Sequence, residues 1–252
     1  MRYFLETVET IGRGVGFNYY DKTHLLWLMI FMIFTIGSCY FYKKSKDIIR
    51  KRIRIFFATS IILDEVFKII MLLIGGNYSV EYLPLHLCSI NIFIIAYHVY
   101  KPSKTLDNYL YSVCIPAALC ALLFPTWIEL PVINFMHLHS FTIHILLAAY
   151  PIMLVAGGDI CPDRRLIPKS ILFTVIFAIP IYIFNLIFDT NFMFLMYAEP
   201  GNPLYWFGEN LGNHLLGIPV IYGVVLILMY FPFYIKERKF KKSKENQISE
   251  AV

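Results

Sequence analysis

Residues 24–42 read HLLWLMIFMIFTIGSCYFY, and residues 43–54, which follow directly, read KKSKDIIRKRIR. The first stretch is apolar enough to cross the hydrocarbon core of a bilayer as a helix, which takes about 20 residues. The second stretch holds seven of the 22 Lys and Arg residues of the chain. An apolar run that ends in a basic cluster is typical of a membrane helix whose basic end faces the cytoplasm.

Similar apolar runs recur along the chain and predict seven transmembrane helices. The runs are continuous rather than alternating, and a helix satisfies its backbone hydrogen bonds within the segment, as lipid requires. We therefore predict an all-α, polytopic membrane protein with one seven-helix domain over residues 1–235 and a basic cytoplasmic tail over 236–252. The predicted spans are 24–42, 55–74, 84–100, 109–124, 136–156, 170–188 and 217–235.

The composition supports a membrane protein and excludes two other classes. The chain has 252 residues, of which 58% are hydrophobic and 15% are charged. Soluble domains are about 45–50% apolar and about 25% charged, and disordered chains are less apolar still. The net charge of +5 is a feature of many nucleic-acid-binding proteins. The positions of the basic residues explain this charge by membrane topology, so no nucleic-acid partner is predicted.

The basic residues predict the orientation of the chain. The segments 43–54, 101–108 and 157–169, together with the residues after 235, hold 18 of the 22 basic residues, whereas the intervening loops hold none. The positive-inside rule then places the N-terminus outside and the C-terminus in the cytoplasm. The bare loop 189–216 is expected to be one long non-helical stretch on the outside, and loops of that length are often functional.

The second span carries three ionisable residues, Asp64, Glu65 and Lys68. Asp64 and Lys68 are four residues apart and Glu65 and Lys68 are three apart, so either acid can pair with the lysine on a helix. One interpretation is an internal ion pair that fixes helix packing. The other is the floor of a polar pocket that orients a catalytic or transport group, since charges inside a bilayer are generally functional.

The third span begins within residues 83–91, LPLHLCSIN. Cys88 and Asn91 are three residues apart and share a helix face. His86 is two residues from Cys88, so in a helix it points to roughly the opposite side and is a poor direct base for the thiol. The thiol itself is either a small apolar side chain or a nucleophile.

The fifth span carries His137, His139 and His144. The first two are expected at the interface, where lipid headgroups satisfy them, whereas His144 lies deeper. The His-x-His pair has no carboxylate in its own span, so no metal site is predicted.

Several of these polar groups are expected at one depth. Counted from the outer ends of their spans, Lys68, Cys88 and His144 lie roughly 6–12 Å below the boundary, and Asn185 lies nearby. A thiol beside an imidazole is the minimal set for nucleophilic acyl transfer through a thioester. Lys68 or an amide would stabilise the oxyanion. This chemistry needs no metal or other cofactor.

The segment LPLHLCSIN resembles the signature of the YwaF-type bacterial integral membrane proteins and of the related eukaryotic transmembrane protein 164. The His-rich fifth span and residues 191–200, NFMFLMYAEP, are similar to the same family. The resemblance implies a compact seven-helix fold, shared with the androgen-induced-gene type hydrolases. It also implies a Cys/His acyltransferase that moves an acyl chain between phospholipids, and a place in the bacterial plasma membrane.

Carried onto this chain, the resemblance implies Cys88 as the nucleophile and a histidine of the fifth span as the base. His144 is preferred and His139 is the reserve, while membrane phospholipids are the expected substrates. A lipid-ester hydrolase, in which water takes the acyl group, is an alternative with the same residues. Two functions of other classes also stay open. The Asp64–Glu65–Lys68 group is also typical of a small-solute transporter, although no inverted repeat is evident. A structural or regulatory membrane protein without chemistry would use the same polar residues for packing.

Overall fold

The computed structural model describes residues 3–12 and 14–249, and these residues form helices, turns and loops with no strand. The described residues form eight helices. They are α1 (Lys22–Lys44), α2 (Asp47–Gly75), α3 (Leu87–Tyr100), α4 (Lys104–Leu123), α5 (Phe135–Gly157), α6 (Ile167–Phe188), α7 (Tyr205–Leu211) and α8 (Gly217–Ser249).

Each predicted span lies largely within a helix, and the all-α membrane architecture is confirmed. Within the described ranges, five helical stretches are long and apolar enough to cross a bilayer. They contain α1, α4, α5, α6 and the part of α8 up to Ile235. The other two predicted spans differ in kind, because α3 has only 14 residues and α2 carries buried charges. The count of seven spans and the orientation of the termini therefore stay predictions.

Helix α5 forms the centre of the bundle. Of its most apolar stretch 67% is buried, compared with 11% for α6 and for α8. Helices α1, α2, α3 and α4 all pack against it. A helix that is apolar on all sides and covered by neighbours is a core helix, whereas the exposed apolar faces of α6 and α8 suit contact with lipid.

The start of α5 is fixed by one amide side chain. Asn134 is fully buried, and its Oδ1 accepts hydrogen bonds from the N–H groups of Met136 and His137 at 2.9 and 3.1 Å. Its Nδ2 donates to the carbonyl oxygens of Tyr3 and Glu6 at 2.7 and 2.8 Å. Asn134 thus caps the central helix and ties the N-terminal segment to it.

Helix α4 contains a π-helical turn over Leu110–Cys114. Immediately before this turn, the Tyr109 hydroxyl donates to Oδ1 of Asn91 on α3 at 3.0 Å. Within it, the Cys114 thiol donates to the Leu147 carbonyl on α5 at 3.4 Å. Contacts in and next to this turn therefore connect α4 to α3 and α5, and π-turns of this kind are frequent at functional sites.

The stretch 189–216 is not the single non-helical loop that was predicted. It contains α7 and two short helical turns, Phe192–Phe194 and His214–Leu216. Its asparagines are the physical reason. Oδ1 of Asn202 accepts from the Leu204 N–H and Oδ1 of Asn213 accepts from the Leu215 N–H, both at 2.9 Å. Asparagine side chains that bond the backbone ahead of them nucleate turns and short helices.

Candidate functional site

The three ionisable residues of the predicted second span, Asp64, Glu65 and Lys68, lie on α2 where it packs against α5. Glu65 and Lys68 are both buried, and Lys68 Nζ donates to Glu65 Oε1 at 2.5 Å. Of the two pairings that the sequence allowed, the one three residues apart is therefore formed. Asp64 pairs elsewhere, because its position on the helix turns it towards α5. There Asp64 Oδ2 lies 2.8 Å from His139 Nδ1, and Glu65 Oε2 lies 3.8 Å from His139 Nε2.

The contact between Asp64 and His139 is electrostatic rather than a well-formed hydrogen bond. Both atoms are buried, and neither has a hydrogen-bond partner with suitable geometry in the described part of the chain. Buried polar atoms in proteins are nearly always hydrogen-bonded, and exceptions concentrate at functional sites. The pair therefore marks this helix interface as a place to look for chemistry.

The prediction that His137 and His139 meet lipid headgroups is wrong. Both are buried within the protein, because the N-terminal end of the central helix is covered by α1, α2 and the segment before Asn134. Nδ1 of His137 lies 3.1 Å from the Leu130 carbonyl, and its Nε2 accepts from Trp27 Nε1 at 2.9 Å.

The carboxylates missing from the fifth span are supplied by α2. Even so, no group of three or more His, Cys, Asp or Glu side chains in residues 3–12 and 14–249 is placed to hold a metal ion.

His144 is held in the tautomer that a general base requires. Its Nδ1 lies 2.6 Å from the Ser140 carbonyl oxygen, and its ring stacks on the indole of Trp127 at 5.3 Å. A carbonyl oxygen only accepts, so Nδ1 carries the proton and Nε2 of the neutral ring has the free lone pair. Trp127 was not among the predicted site residues.

His86 lies outside the helix that contains Cys88. It is the N-cap residue of α3 and has extended backbone angles, so the argument that placed its ring opposite the thiol does not apply. The Met193 N–H donates to His86 Nδ1 at 3.3 Å, and the ring packs against Phe192 and Phe194. Because Nδ1 accepts, neutral His86 carries its proton on Nε2, as a hydrogen-bond donor.

Cys88 is the second residue of α3 and is partly buried. The N-cap side chain makes no hydrogen bond to this turn, so the first N–H groups of the helix are left for another acceptor. Such groups favour a thiolate or an oxyanion beside them. The thiol makes no hydrogen bond to a histidine of the described chain. It lies within electrostatic range of the Cys114 and Cys120 thiols of α4.

These residues, on three helices, are near enough to influence one another electrostatically. Lys68 acts on His86, and His144 interacts with both His86 and His139. The polar cluster, as we name it, comprises Asp64, Glu65, Lys68, His86, His139 and His144. It runs from α2 across α5 to the start of α3, where Cys88 is located. The structure therefore brings most of the predicted site residues to the predicted outer end of the bundle.

Comparison with known proteins shows the family of this chain. A model of the TMEM164 family matches residues 19–231. This chain belongs to the TMEM164 family. The match runs from the residues before α1 into α8 and includes the whole polar cluster and Cys88. No curated protein and no solved structure matches the chain significantly.

Membership of the TMEM164 family and the apolar helices agree that the chain is a multi-pass membrane protein. The expected kinship with transmembrane protein 164 is thereby confirmed. The match does not extend to the YwaF-type relationship or to the acyltransferase activity.

The two asparagines in the predicted site have separate places in this TMEM164-family protein. Asn91 is buried beneath Cys88, and its Nδ2 has no hydrogen-bond partner among the described residues. Asn185 does not join the polar cluster. Its Oδ1 accepts from the Phe192 N–H and from Thr190 Oγ1, and its Nδ2 donates to the Phe192 carbonyl. Asn185 thus holds the turn that follows α6.

The turn fixed by Asn185 is the part of the site that sequence reasoning missed. Met193 and Phe194 have φ angles of 59° and 53°, a left-handed conformation that costs about 1–3 kcal/mol per residue. His214 Nε2 lies 2.8 Å from the Phe194 carbonyl and holds the turn from the other side. This strained turn supplies the N–H that orients His86. Residues 192–194, FMF, carry no signal for it, because Phe and Met rarely adopt positive φ angles.

Proposed function

We propose that this TMEM164-family protein is a membrane-embedded lipid acyltransferase that uses Cys88 as its nucleophile and His144 as its base. The observation that carries the proposal is the position of the Cys88 thiol in the uncapped first turn of α3. The turn lies beside a cluster of buried and half-buried histidines and charges. Family membership and the resemblance of LPLHLCSIN to transmembrane protein 164 give the proposal its lipid substrate.

The reaction proceeds in two balanced steps. His144 Nε2 takes the thiol proton, and the thiolate attacks the ester carbonyl of a donor phospholipid. The ester C–O bond breaks, the lysophospholipid leaves with that proton, and a thioester remains on Cys88. The hydroxyl of an acceptor lysophospholipid then attacks the thioester carbonyl while His144 Nε2 takes the hydroxyl proton. The C–S bond breaks, a new ester forms, and His144 passes that proton to the Cys88 sulfur. No cofactor takes part in either step.

Two donors serve the oxyanion in this scheme. One is the set of free N–H groups at the start of α3. The other is Nε2–H of His86, which the Met193 N–H holds in the donor tautomer. The positive charge of Lys68, which Glu65 neutralises in part, favours the neutral form of His86 and so supports this donor. Removal of one oxyanion donor typically lowers kcat by about 10²–10³.

The thiol and the base are not in contact in the substrate-free protein. Catalytic hydrogen bonds are often long before substrate binds and shorten in the complex. On this proposal, binding of the acyl chain brings the Cys88 thiol and His144 into contact. The surrounding apolar side chains suit an acyl chain. On this proposal the single membrane domain spans residues 1–235, resides in a bacterial plasma membrane, and acts on phospholipids.

Acyl transfer from a labelled phospholipid to a lysophospholipid, with purified protein in detergent, tests the proposal. Cys88→Ala should abolish transfer. His144→Gln should lower the rate by about 10²–10⁴, the usual contribution of a general base. Cys161→Ala, which removes an exposed thiol at the other end of the bundle, should leave the rate unchanged. Full activity of Cys88→Ala would refute the assignment.

The second candidate function is small-solute transport. The observation in its favour is the buried Asp64–Glu65–Lys68 group against His139 between α2 and α5, since ionisable groups at membrane depth mark ion pathways. Solute flux into sealed vesicles that survives Cys88→Ala and fails with Lys68→Ala would favour transport. A protein with neither activity would be structural.

A further inference from the structure

A cavity of about 350 Å³ lies at the end of the bundle opposite the polar cluster. Arg54 and Lys68 are both on α2, and their separation of 14 positions corresponds to about 21 Å along the helix. The cavity therefore belongs to the end that the basic segment 43–54 predicts to be cytoplasmic. Its charged and titratable lining residues are Asp47, Arg50, Arg54, His98, Asp107 and Asp159. We call it the Arg54 cavity.

Arg50 is already committed to holding the structure together. Its Nε donates to the Tyr42 carbonyl at 3.1 Å, and its Nη2 donates to the Lys43 carbonyl at 3.1 Å. Its Nη1 donates to the Gly157 carbonyl at 3.2 Å and to Asp159 Oδ1 at 3.0 Å. All three guanidinium nitrogens are therefore engaged, and Arg50 locks the turn between α1 and α2 onto the end of α5.

His98 is committed in the same way. The ring is buried, its Nδ1 lies 2.9 Å from the Tyr150 hydroxyl, and its Nε2 lies 2.7 Å from Asp107 Oδ1. Both ring nitrogens thus have partners, and one oxygen of Asp107 is taken up by the ring.

Arg54 is the cation in this cavity with donors to spare. Its closest acidic contact is a long one, 3.5 Å from Nη1 to Asp159 Oδ2. Asp159 is held more closely by Arg50, and the Tyr42 hydroxyl also donates to it. Nε of Arg54 is buried and has no hydrogen-bond partner within the described residues. A buried charged donor without an acceptor is costly, and with one long ion pair besides it the guanidinium of Arg54 is under-paired by the protein. An anion at its Nη end, which is partly accessible, would complete its pairing.

We propose that the Arg54 cavity binds a phosphate group, with the two Nη atoms of Arg54 donating to two phosphate oxygens. The planar guanidinium fork matches phosphate geometry. The start of α2 lies beside it without a side-chain cap, which adds a partial positive charge. Exposed Asp47 at the rim suits an ammonium group on the same ligand, and the volume falls in the small-ligand range of about 300–1,000 Å³.

The phosphate has two possible sources, a phospholipid headgroup of the adjacent leaflet or a soluble phosphate ester. This binding site is separate from the acyl-transfer site and does not depend on it. Cys88→Ala should therefore bind phosphate as the wild type does, even if the proposed acyltransferase activity is absent.

The test is a thermal-stability titration of the purified full-length protein in a phospholipid-free detergent at constant ionic strength. The probes are inorganic phosphate, glycerol 3-phosphate and a short-chain phosphatidylethanolamine. We expect at least one probe to raise the Tm of the wild type and of Arg52→Gln. Arg52 is the matched control, because it is exposed on the same basic segment and does not line the cavity.

Arg54→Gln should need roughly tenfold more ligand or more for the same stabilisation, because it loses a charge-assisted bidentate contact. A response to the soluble probes identifies a phosphate ester, and a response to the lipid alone identifies a headgroup; both support the site. Equal responses of Arg54→Gln and the wild type, or no response to any probe, would overturn the proposal.

Arg54→Lys keeps the test valid if Arg54→Gln fails to fold. It retains the positive charge and loses the fork, so its half-saturating concentration should lie above that of the wild type. A titration curve that coincides with the wild type would contradict a phosphate site built on the guanidinium.

Discussion

At the scale of single residues, Asn134 provides the clearest stability test. Replacement by Ala removes the cap of α5 and both amide bonds to the N-terminal segment. A helix cap is worth about 1 kcal/mol and each of the two hydrogen bonds about 0.5–1.5 kcal/mol, so we expect a loss of about 2–4 kcal/mol and a lower Tm. Asn134→Ser keeps a capping oxygen and should be intermediate. A thermal melt in detergent in which Asn134→Ala matches the wild type would refute this role.

Asp21 makes the stability of the start of α1 depend on pH in the acid range. Its carboxylate accepts from the His24 N–H at 2.9 Å and the Asn18 N–H at 3.0 Å, and these bonds, that of His24 first, lower the pKa of Asp21. Its contribution to stability is therefore present above the ordinary carboxyl pKa and lost as the pH falls through the lowered value. Between about pH 5 and pH 3, the Tm advantage of the wild type over Asp21→Asn should shrink. Parallel Tm curves would show that the carboxylate has no such role.

Residue spacing predicted part of the site and missed the rest for a physical reason. The pairing of Glu65 with Lys68 follows from helix geometry alone, because both residues are on one helix. The contact of Asp64 with His139 depends on how α2 and α5 pack, and spacing within a helix carries no information about that.

At the scale of secondary-structure elements, each predicted apolar run lies largely within a helix, because a long apolar segment in lipid must satisfy its backbone hydrogen bonds within itself. The same signal missed what is not apolar. Helix α2 begins at Asp47, within the basic segment, and α8 continues past residue 235 to Ser249. The turns in 189–216 were missed because asparagine marks both loops and short helical turns.

The turn after α6 should open when Asn185 is replaced. Asn185→Ala loses three hydrogen bonds that hold Thr190 and Phe192, so local opening of the turn becomes easier. We expect a protease added to the outer side to cleave within residues 189–197 about tenfold faster or more. Asn210→Ala, which removes one exposed hydrogen bond in α7, is the control. Equal cleavage rates in the two variants would show that Asn185 does not hold the turn.

At the scale of the whole molecule, topology is the main open prediction, and one loop decides it. If α2 and α3 both cross the membrane, residues 75–83 lie outside; if neither crosses, these residues lie on the cytoplasmic side with Cys161. Labelling with a membrane-impermeant maleimide distinguishes the cases in variants that carry one cysteine each. We expect Tyr78→Cys and Asn202→Cys to react in intact cells and Cys161 to react only after permeabilisation. Protection of Tyr78→Cys in intact cells would contradict seven spans.

The central claim is that Cys88 carries an acyl group during turnover, and an intact-mass spectrum tests it most directly. Wild type, Cys88→Ala and His144→Gln are incubated with mixed phospholipids in detergent. We expect an acyl-sized mass increase on the wild type that hydroxylamine removes, no increase on Cys88→Ala, and slower formation of the adduct on His144→Gln. An equal adduct on Cys88→Ala, or no adduct on the wild type at any time, would contradict it.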